Sequence, residues 1–371
     1  MDTEKANMEI DNTASFLEGV GIESEGKSSA YIITYTPYFE KSVKKEAHKI
    51  DPHFITEKEF SPSKALITSE KPQDLFVKEL KDSSPIFIKH IMPVMEAGKL
   101  TGNFGDDKDK LLQAIESIVS MEGNSKFAVQ CRLVKANLPY TAKDVEVYVG
   151  SYYEKNGYIP SFSDKEIINE DINIISIFLY GSEYYVGFSK SSDNLNFQSD
   201  EYRISSRAGG REISRAENKL KEALASFNIE LEGKGIALDL GAAPGGWSKV
   251  LADYGYNVLA VDPAQLDPKL DNYPNITHLK KKAQDIKLEE PLDLIVNDMN
   301  MEPKETAKVM NEVAPLLKDG GIVILTIKLP FNPERGIAEA KEVLSDKYEV
   351  LKVKSLFHNR QEVTALLKKK S

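Results

Sequence analysis

The sequence predicts an α/β protein: a doubly wound, Rossmann-like sheet with a final antiparallel strand, preceded by two small α+β units. Three observations carry this. From Ser214 onward short apolar runs alternate with segments of helical spacing, the pattern of a parallel sheet with crossover helices. A glycine-rich turn, Asp239-Leu240-Gly241-Ala242-Ala243-Pro244-Gly245-Gly246-Trp247, joins the first of those strands to a helix. Upstream, strand-like and helix-like pieces alternate in two shorter blocks, and 371 residues suffice for two or three domains.

Residues 1–28 are polar and acidic with no apolar signal core, so they read as a disordered leader and not a secretion signal. Residues 29–100 then give strand Tyr31–Tyr35, helix Phe39–Ile50, strand Ala65–Thr68, helix Pro72–Leu80 and strand Ile86–Pro93. That βαβαβ order suits a ferredoxin-like unit. Residues 101–190 open on an amphipathic helix, Asp106–Met121, with Leu111, Leu112, Ile115, Ile118 and Val119 on one face. Strand Phe127–Val134, helix Ala142–Asn156 and a strand pair, Ile174–Tyr180 and Tyr184–Phe188 around Gly181, complete a second α+β unit. Residues 191–213 are rich in Ser, Asn, Asp, Arg and Gly and read as a basic linker.

Residues 214–371 form the catalytic candidate. Helix Ser214–Phe227 opens with Ser214 and Glu217 in capping-box spacing. Strand Gly235–Leu240 leads through the glycine turn into helix Gly246–Tyr254. Strands Asn257–Val261, Ile276–Lys280 and Leu292–Asn297 follow, then helix Pro303–Leu317, strand Gly321–Ile327 and helix Pro333–Leu344. The last two strands, Tyr348–Phe357 and Glu362–Lys368, are joined by so few residues that they must run antiparallel.

Composition bounds the function. Hydrophobic residues make up 41% and charged residues 29%, an ordinary globular balance. A single cysteine, Cys131, excludes an internal disulfide and cysteine-cluster metal sites, and with no apolar run of membrane-spanning length points to the cytoplasm. The histidines, His48, His53, His90, His278 and His358, have no metal-ligand spacing, so a metal-free protein is expected. A net charge of −10 requires any nucleic-acid surface to be a local basic patch.

The glycine turn carries the chemistry. Gly241 allows a tight turn, and Gly245 and Gly246 remove Cβ atoms that would crowd a ligand lying across the backbone. The helix beginning at Gly246 offers unpaired N–H groups to a carboxylate. Asp239 ends its strand where it can meet a positive amino group, Asp262 ends the next strand where it can accept ribose hydroxyls, and Asp285 falls where an adenine would lie. An amino acid joined to a nucleoside satisfies all three, and S-adenosylmethionine is such a molecule. The dinucleotide spacing G-x-G-x-x-G is lacking, which argues against a dehydrogenase. Trp247, the only tryptophan, reads both as part of this motif and as packing on the first helix.

Asp239–Trp247 resembles the motif of FtsJ-like ribose 2′-O-methyltransferases, a family with a Lys-Asp-Lys-Glu tetrad. Four segments are similar to the family's tetrad segments. Ser214–Leu220 points to Lys219 and Asn297-Asp298-Met299 to Asp298. Ile327-Lys328-Leu329-Pro330 points to Lys328, and Arg360-Gln361-Glu362-Val363 to Glu362. Upstream, Pro37-Tyr38-Phe39-Glu40-Lys41, Pro85-Ile86-Phe87-Ile88-Lys89 and Tyr184–Ser189 look like segments of one subgroup. That subgroup is the bacterial 23S ribosomal RNA cytidine 2′-O-methyltransferases, which carry a ferredoxin-like and a THUMP domain. The resemblance implies that residues 101–190 are THUMP-like and RNA-binding, that S-adenosylmethionine is the cofactor and that the partner is structured RNA. The leader and the stretch Asn297–Pro303 depart from the broader pattern.

The tetrad has its own chemical logic. A ribose hydroxyl is a poor nucleophile, and an in-line displacement needs it oriented and relieved of its proton. Lys328, at the end of a central strand, is the candidate base, its pKa expected to be lowered by desolvation or neighbouring cations. Asp298, which also borders the cofactor crevice, would orient it, and Lys219 and Glu362 would balance the charge. Arg203, Arg207, Arg211 and Arg215 recur at intervals of four and are candidate phosphate contacts, though Gly209-Gly210 interrupts the stripe. Lys280–Lys282 and Lys368–Lys370 are further candidate contacts, which read more readily as solvated faces.

Two other functions stay in view. A base methyltransferase acting on tRNA would carry an Asn/Asp-Pro-Pro-aromatic turn or a nucleophilic cysteine; here the turn reads Asn297-Asp298-Met299-Asn300 and Cys131 lies far from the glycine turn in sequence. A tRNA ribose target stays open. A non-catalytic RNA-binding assembly factor would have no use for all four tetrad residues.

Overall fold

The computed structural model describes residues 29–161, 170–195, 213–214, 216–288 and 290–371. The leader, most of the linker and all four stripe arginines lie outside the described residues. The described residues fall into two compact units, one made of those in 29–35 and 43–195 and the other of those in 36–42 and 213–371.

In the N-terminal unit, β1 (Ser29–Tyr35), α1 (Glu40–Ile50), β2 (Ile55–Ser61), β3 (Lys64–Ser69), α2 (Gln73–Asp82) and β4 (Ile88–Val94) run in the order βαββαβ. The four strands form one antiparallel sheet in the order β2-β3-β1-β4. Of these four strands, the one missing from the sequence expectation is β2. Its residues, Ile-Thr-Glu-Lys-Glu-Phe-Ser, bury only Phe60. An edge strand takes its hydrogen bonds from one neighbour and faces water elsewhere, so polar residues suffice and no apolar alternation marks it.

A five-stranded sheet follows, built from β5 (Glu96–Lys99), α3 (Phe104–Ile118), β6 (Lys126–Val134), α4 (Ala142–Lys155), β7 (Ile159–Pro160), β8 (Asn173–Tyr180) and β9 (Glu183–Lys190). Its order is β5-β9-β8-β6-β7, with β6 parallel to β7 and β8 and the rest antiparallel. Asn103 caps α3 through its side chain, and Thr141 and Asp144 form a full capping box on α4. Phe60 of the first sheet packs on Phe178 and Tyr185 of the second, ring centroids 4.8 and 5.3 Å apart, so the sheets share a core.

The C-terminal unit is a mixed α/β sheet. It contains α5 (Ala216–Ser226), β10 (Ile236–Leu240), α6 (Gly246–Asp253), β11 (Asn257–Val261), β12 (Ile276–Leu279) and β13 (Leu292–Asn297), then α7 (Pro303–Val313), β14 (Leu317–Lys328), α8 (Pro333–Leu344), β15 (Tyr348–Lys354) and β16 (Glu362–Lys369). Seven strands lie in the order β12-β11-β10-β13-β14-β16-β15. The first five are parallel, and β16 is antiparallel to both its neighbours. Helix α7 stops at Val313, short of the expected Leu317, because Pro315 has no N–H to continue it. Helices α5 and α6 bury Leu220, Leu224, Trp247, Val250 and Leu251, together with Phe227 just past α5, in one core with strand residues Ala237, Val258, Leu294 and Ile324. Strand order reverses between β10 and β13, which opens a crevice beyond the carboxyl ends of these strands. No described helix is long and apolar enough to cross a membrane.

Candidate active site

The crevice has a volume of about 510 Å³ and is lined by Gly241, Ala243, Asp262, Asp298, Lys281, Lys282 and Ala283, with Leu240, Val261, Pro263, Met299, Asn300, Met301 and Val309 completing its walls. Asp262 is held by the backbone: its carboxylate accepts from Ala243 N at 3.1 Å and Ala264 N at 2.8 Å.

Asp239 is the penultimate residue of β10, immediately before crevice-lining Leu240 and Gly241, and is 1% exposed. One carboxylate oxygen accepts from Ser248 Oγ at 2.6 Å, and the other has no partner among the described residues. Burial, reinforced by the charges of Asp298 and Asp262 and opposed by the Ser248 bond, pushes its pKa up to about 7. A buried carboxylate oxygen with a free acceptor site beside a nucleoside-sized crevice fits the amino group of an amino-acid nucleoside. Ser248, one turn into α6, gave no signal of its own in the sequence.

The glycine turn serves the protein more than the ligand. Gly241 has φ +76 and Gly245 φ +111, both left-handed. A Cβ at Gly245 would stand 2.1 Å from Leu270 Cδ1, one at Gly246 would stand 2.3 Å from Ser214 Oγ, and one at Gly241 would press on Met299. The space that Gly245 and Gly246 clear is thus filled by neighbouring loops, while Gly241 and Met299 both border the crevice. Ala242 is buried in a small cluster with Ala260, Leu266 and Leu270, and Pro244, on a cis bond from Ala243, is exposed. Trp247 is 2% exposed and its indole donates to Ala216 O at 2.7 Å, which ties α6 to α5 and makes it a packing residue. Asp285 is exposed on a short turn, Ala283–Asp285, and it is Ala283 that borders the crevice.

At the neighbouring strand ends, four charged side chains close into a ring. Lys219 Nζ donates to both oxygens of Asp298, each at 2.9 Å, and lies 2.7 Å from Glu362 Oε1. Lys328 Nζ donates to Asp298 Oδ1 at 3.0 Å and to Glu362 Oε2. The topology explains the meeting. Lys328 and Glu362 are directly opposed in the β14–β16 register, Asp298 follows the last residue of adjacent β13, and Lys219 reaches in from α5. Lys219 and Glu362 are 8% and 7% exposed.

The pKa of Lys328 moves opposite to expectation. Burial works to lower it, but the carboxylates of Asp298 and Glu362 outweigh burial and hold the ammonium above its ordinary 10.5. Burial likewise works to raise Glu362, and the two lysines overcome it and hold the carboxyl below its ordinary 4.5. A lysine between two carboxylates is stabilised as a cation, and residue types alone did not reveal that both would touch it.

Two supporting residues carried no sequence signal. Glu222, one turn beyond Lys219, accepts from His358 N at 2.9 Å, from Phe357 N and from the His358 ring. Asn359 is 4% exposed; it accepts from Leu356 N at 2.7 Å and reaches Glu362 Oε1 at 3.4 Å. Together they fix the turn that delivers Glu362.

The C-terminal unit is a mixed α/β, methyltransferase-like fold with a crevice at its strand ends. Within it, residues 213–333 match the FtsJ-like methyltransferase family, and its cofactor is S-adenosylmethionine. Over most of its length the chain is 27% identical to an uncharacterized protein of Methanocaldococcus jannaschii, covering 91% of this chain and 98% of that one. It is 30% identical over 203 residues to the ribosomal RNA large subunit methyltransferase M of Methylococcus capsulatus, covering 51% of this chain and 56% of that protein. The chain therefore spans just over half the length of that relative. Among solved structures, TrmN of Thermus thermophilus aligns with a TM-score of 0.37 at 16% identity, covering 92% of this chain and 99% of that one.

Proposed function

We propose that this protein methylates a ribose 2′-hydroxyl in RNA, with ribosomal RNA as the substrate class. The observation that carries the reading is the closed ring of Lys219, Asp298, Lys328 and Glu362 beside the cofactor crevice. The relatives named for large-subunit ribosomal RNA support the substrate class.

S-adenosylmethionine, when bound, supplies an electrophilic methyl group on a sulfonium sulfur, and the sulfur–methyl bond would break to leave a neutral thioether. Asp239 and Asp262 would hold it, through the free carboxylate oxygen and the loop-bound carboxylate respectively. Lys328 would bind and orient the 2′-oxygen and accept its proton as the oxygen–methyl bond forms. Because Asp298 and Glu362 stabilise its ammonium form, Lys328 must first release a proton to bulk water before it can take one from the hydroxyl. Lys219 shares both carboxylates and so tempers their field at Lys328.

The RNA grip belongs in this reading to the N-terminal unit. Its βαββαβ order with sheet order β2-β3-β1-β4 supports a ferredoxin-like fold for residues 29–100, and residues 101–190 would be the THUMP-like part. The arginines Arg203, Arg207, Arg211 and Arg215 remain proposed phosphate contacts. The test is to incubate the protein with labelled S-adenosylmethionine and total RNA from a strain lacking it, then map the label by mass spectrometry. Label on a ribose of large-subunit RNA is expected, and label on a base would overturn the mechanism.

A further inference from the structure

A single exposed apolar side chain on a protein surface is ordinary and needs no function. Phe331 differs in where it stands and how it is held. It is the most exposed large apolar side chain among the described residues, at 102%. It lies three residues beyond Lys328, so their Cα atoms are at most about 11 Å apart. The segment carrying it is pinned at both ends. On one side Leu329 N donates to Gln361 O at 2.8 Å, one residue before Glu362. On the other, Asn332 caps α8 through its side chain, accepting from Arg335 N at 3.3 Å, and Pro333 begins that helix. Pro330 packs so closely on α8 that a Cβ at Gly336 would stand 2.7 Å from its Cδ. Two prolines remove backbone freedom on either side of the ring.

We propose that Phe331 is a stacking platform for a nucleobase of the RNA substrate, at or next to the methylated nucleotide. The inference rests on the RNA reading above. A 2′-oxygen brought to Lys328 belongs to a sugar whose adjacent carbon bears the base, which puts a base within reach of the segment that carries Phe331. Stacking needs only an exposed aromatic face, tolerates any base, and gains most when the platform is rigid before binding. The apolar face is covered by the base in the complex and wet without it.

The test compares two probes of equal charge and length, a short single-stranded oligoadenylate and its abasic counterpart, on the full chain. Phe331→Ala should weaken oligoadenylate binding roughly 5- to 100-fold, as loss of one stacked base does. It should leave abasic binding and calorimetric S-adenosylmethionine binding unchanged. Phe331→Trp should restore affinity, and its emission should be quenched by oligoadenylate and not by the abasic strand. Equal loss on both probes, or none on either, would overturn the stacking role. So would a change of oligomeric state in Phe331→Ala with base-dependent affinity intact, which would assign the ring to a second copy of the chain. If the wild-type protein binds neither probe, this inference falls, whereas the RNA reading is decided separately by the labelling of total RNA; loss of the Phe331 effect alone likewise leaves that reading standing.

Discussion

Lys328 Nζ lies 3.0 Å from Asp298 Oδ1, across the ends of two adjacent parallel strands, β14 and β13. Glu362 closes on the same ammonium from the antiparallel partner of β14. Lys328→Ala should lower methyl transfer roughly 10²- to 10⁴-fold while leaving S-adenosylmethionine binding within a few-fold of wild type by calorimetry. Its pKa is held above the ordinary value, so the active neutral form is scarce at neutral pH and increases with each step in pH. The logarithm of kcat/KM should therefore rise with pH through the neutral and mildly alkaline range. A flat profile there, with chemistry shown to be rate-limiting, would remove Lys328 as the base.

Asp239 predicts how cofactor affinity follows pH. With a pKa of about 7 in the free protein, its carboxyl must lose a proton before it can pair with an ammonium group. Affinity for S-adenosylmethionine should weaken about tenfold per unit below pH 7, with proton release on binding there. The sign for stability is the reverse. A carboxyl whose folded pKa is raised favours the folded state below the unfolded value of 3.8, and that advantage is lost as pH rises through about 7. Asp239→Asn should thus raise the Tm of the free protein above pH 7 while weakening cofactor binding, and a variant that binds with unchanged affinity would contradict the assignment.

Glu362 sits buried between two lysines, so removing it strands two cations. Glu362→Ala should cost about 3–5 kcal/mol in chemical denaturation. Its folded pKa is lowered, so the contribution is present above the ordinary 4.5 and lost as pH falls through the folded value. The gap between wild type and variant should shrink in acid; a gap that is constant with pH would mean that packing and not charge carries it.

Gly245→Ala joins two penalties, a left-handed φ of +111 and a Cβ 2.1 Å from Leu270. A loss of more than about 1 kcal/mol is expected. Adding Leu270→Ala should recover less than the whole of it, because the truncation relieves the clash, leaves the backbone strain and opens a cavity of its own. Full recovery would show that the turn tolerates a side chain.

The strands and helices of the C-terminal unit were legible residue by residue where a local rule applied. Asn257–Val261, Leu292–Asn297 and Pro333–Leu344 have the bounds that their apolar runs and proline start predict. Edge strand β2 was not legible, because its pairing comes from β3 and not from its own side chains. Lys219, Asp298, Lys328 and Glu362 could be named only through a resemblance; periodicity says nothing about residues 79, 30 and 34 positions apart.

What the sequence determined by itself is what short-range chemistry controls: the alternation of elements, the turn at Gly241, and the acids that end β10 and β11. What only the tertiary structure decided is the state of those groups. The β14–β16 register sets Glu362 opposite Lys328 and reverses the expected direction of the lysine's pKa. Burial raises Asp239 toward neutrality, and the neighbours of Gly245 and Gly246 turn a supposed ligand clearance into loop packing. Ionisation energies and close packing depend on which groups meet across the fold, and distance along the chain does not encode that.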